Sequence, residues 1–146
     1  MVAWLGVDVV SMSKHPPSSA SPLHGADLCA FLVTTDAARC RAFYCDKLGF
    51  AVAFDDDWAV GLDAFGRKIR VQKMQQHTPR PYTVLGWNVA DIEGTVTQLG
   101  AVGVPCKHYG FPFQDARGIA SFPDGARVAW FEDPDGNVLS VAQMPR

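Results

Sequence analysis

The side chains best suited to chemistry are Cys29, Arg70 and His108, together with the nearby pair Asp115 and Arg117. His108 could act as a general base, but that role needs a hydrogen-bonding partner whose position the sequence does not define. His108 is expected to end a strand, and Asp115 and Arg117 lie in the loop that follows it, although a charged pair of this kind more often forms a surface contact. Cys29 could act as a nucleophile if a cation such as Arg70 lowered its pKa, whereas a buried, inert thiol is the more frequent case. The sequence contains no Ser-His-Asp, phosphate-loop or dinucleotide-binding pattern, so no catalytic residue is assigned.

The composition is that of an ordinary globular domain. A chain of 146 residues with 48% hydrophobic and 19% charged residues can form one domain, or two small modules that share a core. A net charge of −2 provides no attraction for nucleic acid or for an anionic membrane. No apolar run approaches the ~20 residues that a membrane-spanning helix needs. We therefore expect neither nucleic acid nor a membrane as a partner.

The cysteines and the amino terminus bear on the cellular compartment. No Cys-x-x-Cys spacing occurs, which favours reduced thiols over a disulfide or a zinc site at Cys29, Cys40, Cys45 and Cys106. The opening residues MVAWLGVDVV lack the basic start of a signal peptide. Both observations favour a cytoplasmic protein.

Residues 1–25 are predicted to be a flexible N-terminal extension, and residues 26–146 a single domain. The stretch SMSKHPPSSASPLHG is rich in serine and proline and has no hydrophobic period. The apolar segment Val2–Val10 could pack as a strand on this chain or on a partner. Met12 could equally be the natural start.

The first half of the domain predicts one helix among four strands. Asp36 can cap a helix over Ala37–Leu48, and Gly49 suits the left-handed backbone that ends one. The alternation and the turn residues predict strands at Leu28–Thr34, Phe50–Phe54, Trp58–Asp63 and Arg67–Met74.

A linker with two prolines, Gln75–Pro81, precedes a second half with the same pattern. Asp91 is the predicted cap of its helix, and Gly110–Asp124 is predicted to be a long loop. The predicted strands are Tyr82–Val89, Val104–Tyr109, Arg127–Glu132 and Val138–Met144. The two caps lie 91 − 36 = 55 residues apart, as expected of a repeated β-α-β-β-β unit. The modules are assigned to about residues 27–74 and 82–143.

Three stretches of the chain resemble one known family. TTDAARCRAFYCDKLGF, VADIEGTVTQLGAVGV and WFEDPDGNVLSVAQ are similar to the vicinal-oxygen-chelate superfamily of glyoxalases, bleomycin-resistance proteins and extradiol dioxygenases. The resemblance covers residues 27–143 and implies an α+β fold. Two βαβββ modules would form a curled mixed β-sheet cup with helices on the convex side. It also implies a small organic ligand in the concave face and a homodimer.

Members of this superfamily usually hold a divalent metal through His, Glu or Gln side chains. The corresponding positions here carry Cys29, Val84 and Ser140, and either Arg70 or Gln72. Valine has no donor atom, and the others form a poor ligand set. We therefore expect neither a metal nor another cofactor.

Strand alternation indicates which side chains face the cup. Phe31, Asn88 and Ser140 share the orientation of the superfamily's ligand positions, and Phe111 and Phe113 lie in a loop that could close the site. The predicted ligand-binding residues are Cys29, Phe31, Trp58, Arg70, Gln72, Asn88, His108, Phe111, Phe113, Trp130 and Ser140.

Two functions remain open at this stage. The first is a metal-independent binding protein that sequesters a small, partly aromatic or anionic molecule, as resistance proteins of the superfamily do. The second is a lyase, isomerase or dioxygenase of the same superfamily with an atypical or metal-dependent centre. The missing metal ligands favour the first.

Overall fold

The computed structural model describes residues 15–146, and the predictions for Val2–Val10 and Met12 lie outside the described residues. Residues 15–28 form exposed turns ahead of the first strand. The first module contains β1 (Cys29–Thr34), α1 (Ala37–Arg41) with a π-helical continuation (Ala42–Lys47), β2 (Ala51–Asp55), β3 (Ala59–Ala64) and β4 (Arg67–Lys73). The second contains β5 (Thr83–Asn88), α2 (Ile92–Ala101), β6 (Ala120–Ser121), β7 (Arg127–Glu132) and β8 (Val138–Gln143).

The two modules have the same sheet topology. The first sheet has the order β1-β4-β3-β2 and the second has the order β5-β8-β7-β6. In each sheet the first strand pairs in parallel with the last, and the remaining pairs are antiparallel. The predicted α+β fold of two βαβββ modules is therefore confirmed.

Both predicted helix caps are present. Asp36 Oδ1 accepts a hydrogen bond from the Arg39 amide at 3.0 Å, and Asp91 Oδ1 accepts one from the Gly94 amide at 3.1 Å. A short carboxylate at this position satisfies an amide that has no partner within the helix. Gly49 has a φ of +77°, which agrees with its predicted place after the first helical segment.

One apolar core lies between the helices and the inner faces of both sheets. Leu32 and Val71 of the first sheet and Leu139 and Phe131 of the second belong to the same buried cluster. Alternation then turns the next residue of each strand toward the outer face, which is the face away from the helices. The helices therefore join the modules, and each outer face is left uncovered by its own module's helix.

The turn between β7 and β8 fastens the second module to the first. Asp133 is buried, and its Oδ2 accepts hydrogen bonds from the Tyr44 hydroxyl at 2.6 Å and from Asn137 Nδ2 at 2.8 Å. Its Oδ1 accepts the amides of Asp135 and Asn137 at 2.9 and 3.0 Å. Burial, followed by the charge of Asp133, raises the pKa of Tyr44 far above its usual range, so that the phenol donates.

The next carboxylate of this turn binds the end of β1. Asp135 accepts hydrogen bonds from Thr34 Oγ1 at 2.6 Å, from the Thr35 amide at 2.9 Å and from Arg39 at 3.2 Å. Asn137 Nδ2 adds a bond to the Val33 carbonyl at 2.9 Å. We call Asp133, Asp135 and Asn137 the module clasp, since their side chains connect β8 and β7 to the first module.

The predicted strand Val104–Tyr109 is wrong, and so is the predicted position of His108. Residues 104–109 form no strand, and the strand that follows α2 is the short β6. Pro105 has no amide hydrogen, and a hydrogen bond from Lys107 to the Trp130 carbonyl at 2.7 Å joins the segment to β7. His108 accordingly lies in an exposed loop and not at the end of a strand.

The clasp predicts a defined dependence of stability on pH. Burial would raise the pKa of Asp135, but hydrogen bonds from Thr34 and Thr35 and the charge of Arg39 hold it below its ordinary value of 3.8. The folded protein thus binds this proton more weakly than the unfolded chain, and stability is lost as the pH falls through the lowered pKa. Asp135→Asn should reduce the free energy of unfolding by about 2 kcal/mol at pH 7.

The difference between the wild type and Asp135→Asn should begin to shrink below about pH 4 and should continue to shrink as the pH falls through the lowered pKa of Asp135, where the wild type loses the charge that the variant lacks. Urea unfolding at a series of pH values measures this difference in the free energy of unfolding. Asp57→Asn, in an exposed turn, serves as the control and should behave as the wild type does at every pH. A difference that stays constant between pH 7 and pH 3 would contradict the assignment.

Candidate functional site

The outer face of the second sheet carries an apolar cavity of about 230 Å³. We call it the aromatic pocket. Its lining consists of Pro81, Tyr82, Thr83, Tyr109, Phe111, Phe113, Phe122, Trp130 and Val138. No charged side chain is among them, so the pocket is suited to an uncharged, flat group.

The rings of the pocket are held in fixed mutual orientations. Phe111 and Phe113 stack with centroids 5.1 Å apart at 12°, and Tyr109 meets Trp130 edge to face at 5.7 Å and 79°. Trp130 Nε1 donates a hydrogen bond to Thr83 Oγ1 at 3.1 Å. Because its polar atom is already bonded, Trp130 presents mainly apolar ring surface to the cavity.

Gln114 shapes the loop that supplies three of these rings. Its Oε1 accepts the Tyr109 amide at 2.8 Å, and its Nε2 donates to the carbonyls of Lys107 at 2.8 Å and Gly118 at 2.9 Å. The Ser121 amide also donates to the Phe113 carbonyl at 3.1 Å, which ties the loop to β6. The aromatic side chains therefore project from a loop with an internal polar support.

Asp115 closes the far end of the same loop. It accepts hydrogen bonds from the amides of Arg117 and Ile119, both at 2.9 Å. It also forms a salt bridge with the Arg117 guanidinium at 3.1 Å. Partial burial would raise its pKa, but the Ile119 amide and Arg117 hold the pKa of Asp115 below its usual value. The predicted surface contact between Asp115 and Arg117 is thus present, and it serves loop structure.

A second cavity, of about 390 Å³, lies on the outer face of the first sheet. We call it the Arg70 groove, since Arg70 lines it with Cys29, Phe54, Gly61, Asp63 and Lys68. The Arg70 guanidinium lies 5.4 Å from the centroid of Phe54, within the range of a cation–π contact. A side chain on Gly61 would place its Cβ 2.1 Å from the Phe54 ring, so a larger residue there would displace that ring from its present position.

The structure brings some of the predicted site residues together and separates others. Phe111, Phe113 and Trp130 line the aromatic pocket, whereas Cys29 and Arg70 line the groove. Phe31 and Gln72 are exposed on the face of β1 and β4 that carries Arg70. In one chain the two cavities have no lining residue in common. The assignment of these side chains to a ligand stays a prediction.

The remaining predicted site residues lie outside both cavities. Ser140 is buried between Gly86 and Trp130 in the second sheet, and a Cβ on Gly86 would lie 2.5 Å from its Oγ. Asn88 lines a different cavity on the inner side of the second sheet. His108 is exposed in its loop, and Trp58 is 77% exposed beside the β2–β3 turn.

The list of predicted ligand-binding residues lacks six lining residues of the aromatic pocket: Pro81, Tyr82, Thr83, Tyr109, Phe122 and Val138. The register of β5 shifts between Thr83 and Leu85, so that Thr83 and not Val84 pairs with Val138. An irregularity of this kind reverses the alternation on which the prediction depended, and no turn residue in the sequence marks it.

The residues present do not fit the divalent metal that the sequence resemblance described above would imply. Within residues 15–146, no group of three or more His, Cys, Asp or Glu side chains comes together as a metal site. Cys29 and Ser140 lie on different sheets, and Val84 has no donor atom. The absence of a metal from the working protein stays a prediction.

Comparison with known proteins identifies the family. The sequence matches the family model described as the Glyoxalase/Bleomycin resistance protein/Dioxygenase superfamily over residues 25–141. The chain therefore belongs to this superfamily, and the resemblance seen in the sequence is confirmed. No curated protein matches the sequence. Within the part of the chain that the structure describes, no helix is long and apolar enough to cross a membrane.

Solved structures share the fold. A bleomycin resistance determinant encoded on the transposon Tn5 has a TM-score of 0.64 and 20% identity, covering 82% of this chain and 98% of that one. A superfamily member from Sphaerobacter thermophilus DSM 20745 has a TM-score of 0.63 and 23% identity, covering 80% and 95%. Lactoylglutathione lyase from Agrobacterium tumefaciens has a TM-score of 0.61 and 17% identity, covering 88% and 95%.

The role of Gln114 can be tested by hydrogen exchange. Gln114→Leu leaves the Lys107 and Gly118 carbonyls without their side-chain donor and the Tyr109 amide without its acceptor. Loss of about 2 kcal/mol of local support should speed exchange at Tyr109 by roughly 30-fold. Gln98→Leu, on the exposed side of α2, is the matched control and should leave the loop unchanged. Equal exchange at Tyr109 in wild type and Gln114→Leu would refute the role.

Proposed function

We propose that this protein binds a small organic molecule with a flat apolar part and an anionic group, without a metal. The flat part enters the aromatic pocket, and the anionic group meets Arg70. The observation that carries the proposal is the pair of uncovered outer faces, of which one is aromatic and the other is cationic.

The aromatic pocket supports the flat, apolar part of this description. Its rings are preorganised, so a ligand ring gains stacking without first ordering the side chains. Each favourable aromatic pair adds about 0.5–1.5 kcal/mol beyond the burial of area. Phe113 is 44% exposed and has surface left for a further partner.

Arg70 supports the anionic part. Within residues 15–146 it forms no salt bridge, and its half-buried guanidinium lies over Phe54. A cation withdrawn from water on one side is stabilised by an anionic partner that completes its hydrogen bonds. Lys68, the other cation of the groove, is already paired with Asp27 at 2.7 Å. Arg70 is therefore the better candidate for the ligand.

A homodimer would bring the two parts of the site together. Large apolar side chains stand exposed on the first sheet or at its edge: Phe31 by 56%, Phe54 by 41% and Trp58 by 77%. A patch of this kind favours contact with another protein surface, and C2 symmetry is the commonest closed arrangement. If the first sheet of one copy faces the second sheet of the other, each dimer contains two equivalent sites.

Sequestration is the physiological role that we propose for this binding. The similar structures include both a bleomycin resistance determinant and a lactoylglutathione lyase, so the fold alone is compatible with either class. The donor-poor set of Cys29, Val84 and Ser140 favours binding over metal-assisted catalysis.

Ligand binding can be tested with 2-naphthoate, which has a flat apolar ring system and a carboxylate. It should raise the Tm of the wild type, and Arg70→Met and Phe113→Ala should each weaken its affinity by about tenfold, or about 1.4 kcal/mol. Asp57→Asn is again a suitable control. Equal shifts in the wild type and both variants would place the site elsewhere.

A mixed dimer separates a site within one chain from a site shared by two. Arg70→Met and Phe113→Ala chains are co-expressed with different tags, and the dimer that carries both tags is isolated. In a shared arrangement one of its two sites has both substitutions and the other has neither, so half of the sites should bind with wild-type affinity. Weak binding at every site would contradict sharing, and a 15.9 kDa species in sedimentation would contradict the dimer.

The metal content gives an independent test. Elemental analysis of protein purified without a histidine tag should find no stoichiometric Zn, Fe, Ni or Mn after dialysis. Retained metal that disappears in Cys29→Ala would favour the alternative of an enzyme with an atypical centre.

A further inference from the structure

We propose that the protein has a second binding site, for a neutral flat apolar ligand, in a crevice between the two modules. The crevice has a volume of about 250 Å³ and is lined by inner-face and helix residues that include Leu48, Phe50, Phe65, Trp87, Asn88 and Thr95. It shares no lining residue with the aromatic pocket or the Arg70 groove. The inference therefore does not depend on the function proposed above.

The walls of the crevice indicate the class of ligand. Phe50 and Trp87 lie 6.0 Å apart at 47°, and Trp87 stacks on Phe131 at 6.4 Å and 18°. No charged residue lines the crevice, and Thr95 is its hydroxyl residue, whereas Asn88 pairs with Ala142 and turns its side chain to the outer face. The Thr95 hydroxyl already donates to the Asp91 carbonyl at 2.7 Å, which leaves it as an acceptor. A cavity of about 150 Å³ accommodates benzene, so this one suits one or two fused rings with a single hydroxyl or amine.

The outer wall of the crevice is a residue in an unfavourable conformation. Phe65 has a φ of +53°, the left-handed region, and its side chain is 79% exposed. The two-residue turn Phe65-Gly66 needs positive φ at both positions, for which Asn-Gly is the favoured pair. Phenylalanine is unfavourable at this position, because its Cβ is strained at positive φ and because its apolar ring is exposed to water. An outlier of this kind is a reason to look for a role of the ring.

Contacts of Phe65 suggest what that role is. Its ring meets Phe50 edge to face at 5.8 Å, and its Cζ would lie 3.8 Å from a Cβ built on Gly49. The ring thus lies across the end of the first helical segment and extends the apolar wall outward. A flat ligand between Phe65 and Trp87 would cover the exposed ring surface.

The internal repeat supplies a second, independent observation. The turn of Phe65 joins β3 to β4, and its counterpart in the second module is the turn that joins β7 to β8. That second turn contains the clasp, where Asp135 contacts Thr34 at the end of β1 and Thr35 just after it. The corresponding end of β5, at Asn88 and Val89, meets no such clasp and borders the open crevice. One junction between turn and module is closed by side chains, and the other has room for a ligand.

The test uses protein labelled with 5-fluorotryptophan, with resonances assigned by Trp87→Phe and Trp130→Phe. Titration with 2-naphthol, which is neutral at pH 7, should shift the Trp87 resonance saturably. Phe65→Asn should weaken this response at least tenfold while the Tm of the free protein stays equal or rises, because asparagine tolerates positive φ. Phe65→Tyr, which retains the ring, is the control and should preserve the response.

The Trp130 resonance reports the aromatic pocket in the same spectra, so the two sites are read separately. Phe113→Ala should alter the Trp130 response and leave that of Trp87 unchanged. Three outcomes would overturn the second site: no saturable shift of Trp87, an equal shift in Phe65→Asn, or a Trp87 shift that follows protein concentration without ligand. The last would mean that a second copy covers the crevice.

Discussion

The buried carboxylate of Asp133 is the interaction on which the arrangement of the modules depends. Its two oxygens accept four hydrogen bonds, from the Tyr44 hydroxyl, from Asn137 Nδ2 and from the amides of Asp135 and Asn137. A buried carboxylate is tolerated only when its hydrogen bonds are satisfied, so the β7–β8 turn and the first helical segment must keep their relative positions. That contact holds the final hairpin of the second module against the first helical segment.

The local structure could be predicted well from the sequence, because it depends on residues close in the chain. Asp36 and Asp91 cap their helices as expected, and the Asp133–Asn137 turn closes the final hairpin. Strand alternation predicted that Phe31 faces away from the core, and in the structure Phe31 is exposed while its neighbour Leu32 is buried. The failure at Val104–Tyr109 is also instructive. This segment was predicted to be a strand from its apolar residues, although Pro105 has no amide hydrogen for strand pairing.

The site was harder to predict, because it depends on which faces meet across the fold. Alternation identified Phe31 and Ser140 as side chains that face the cup, but it contains no information on which sheet lies opposite which. The single cavity expected from the sequence corresponds to two separate cavities in one chain, one with Arg70 and one with Phe111 and Phe113. Gln114, whose amide supports the aromatic loop, could not be found from its type, since loop glutamines are mostly solvated.

The unequal junctions between the modules have a mechanical consequence. Polar contacts at Asp133 and Asp135 fix one end of the contact between modules, whereas the end near Phe65 and Trp87 is held by apolar rings around an open space. Any rotation of one module relative to the other therefore pivots about the clasp, and its amplitude grows with distance from that pivot. The space between Phe65 and Trp87 is then the part of the junction where no polar contact of the clasp opposes such a rotation.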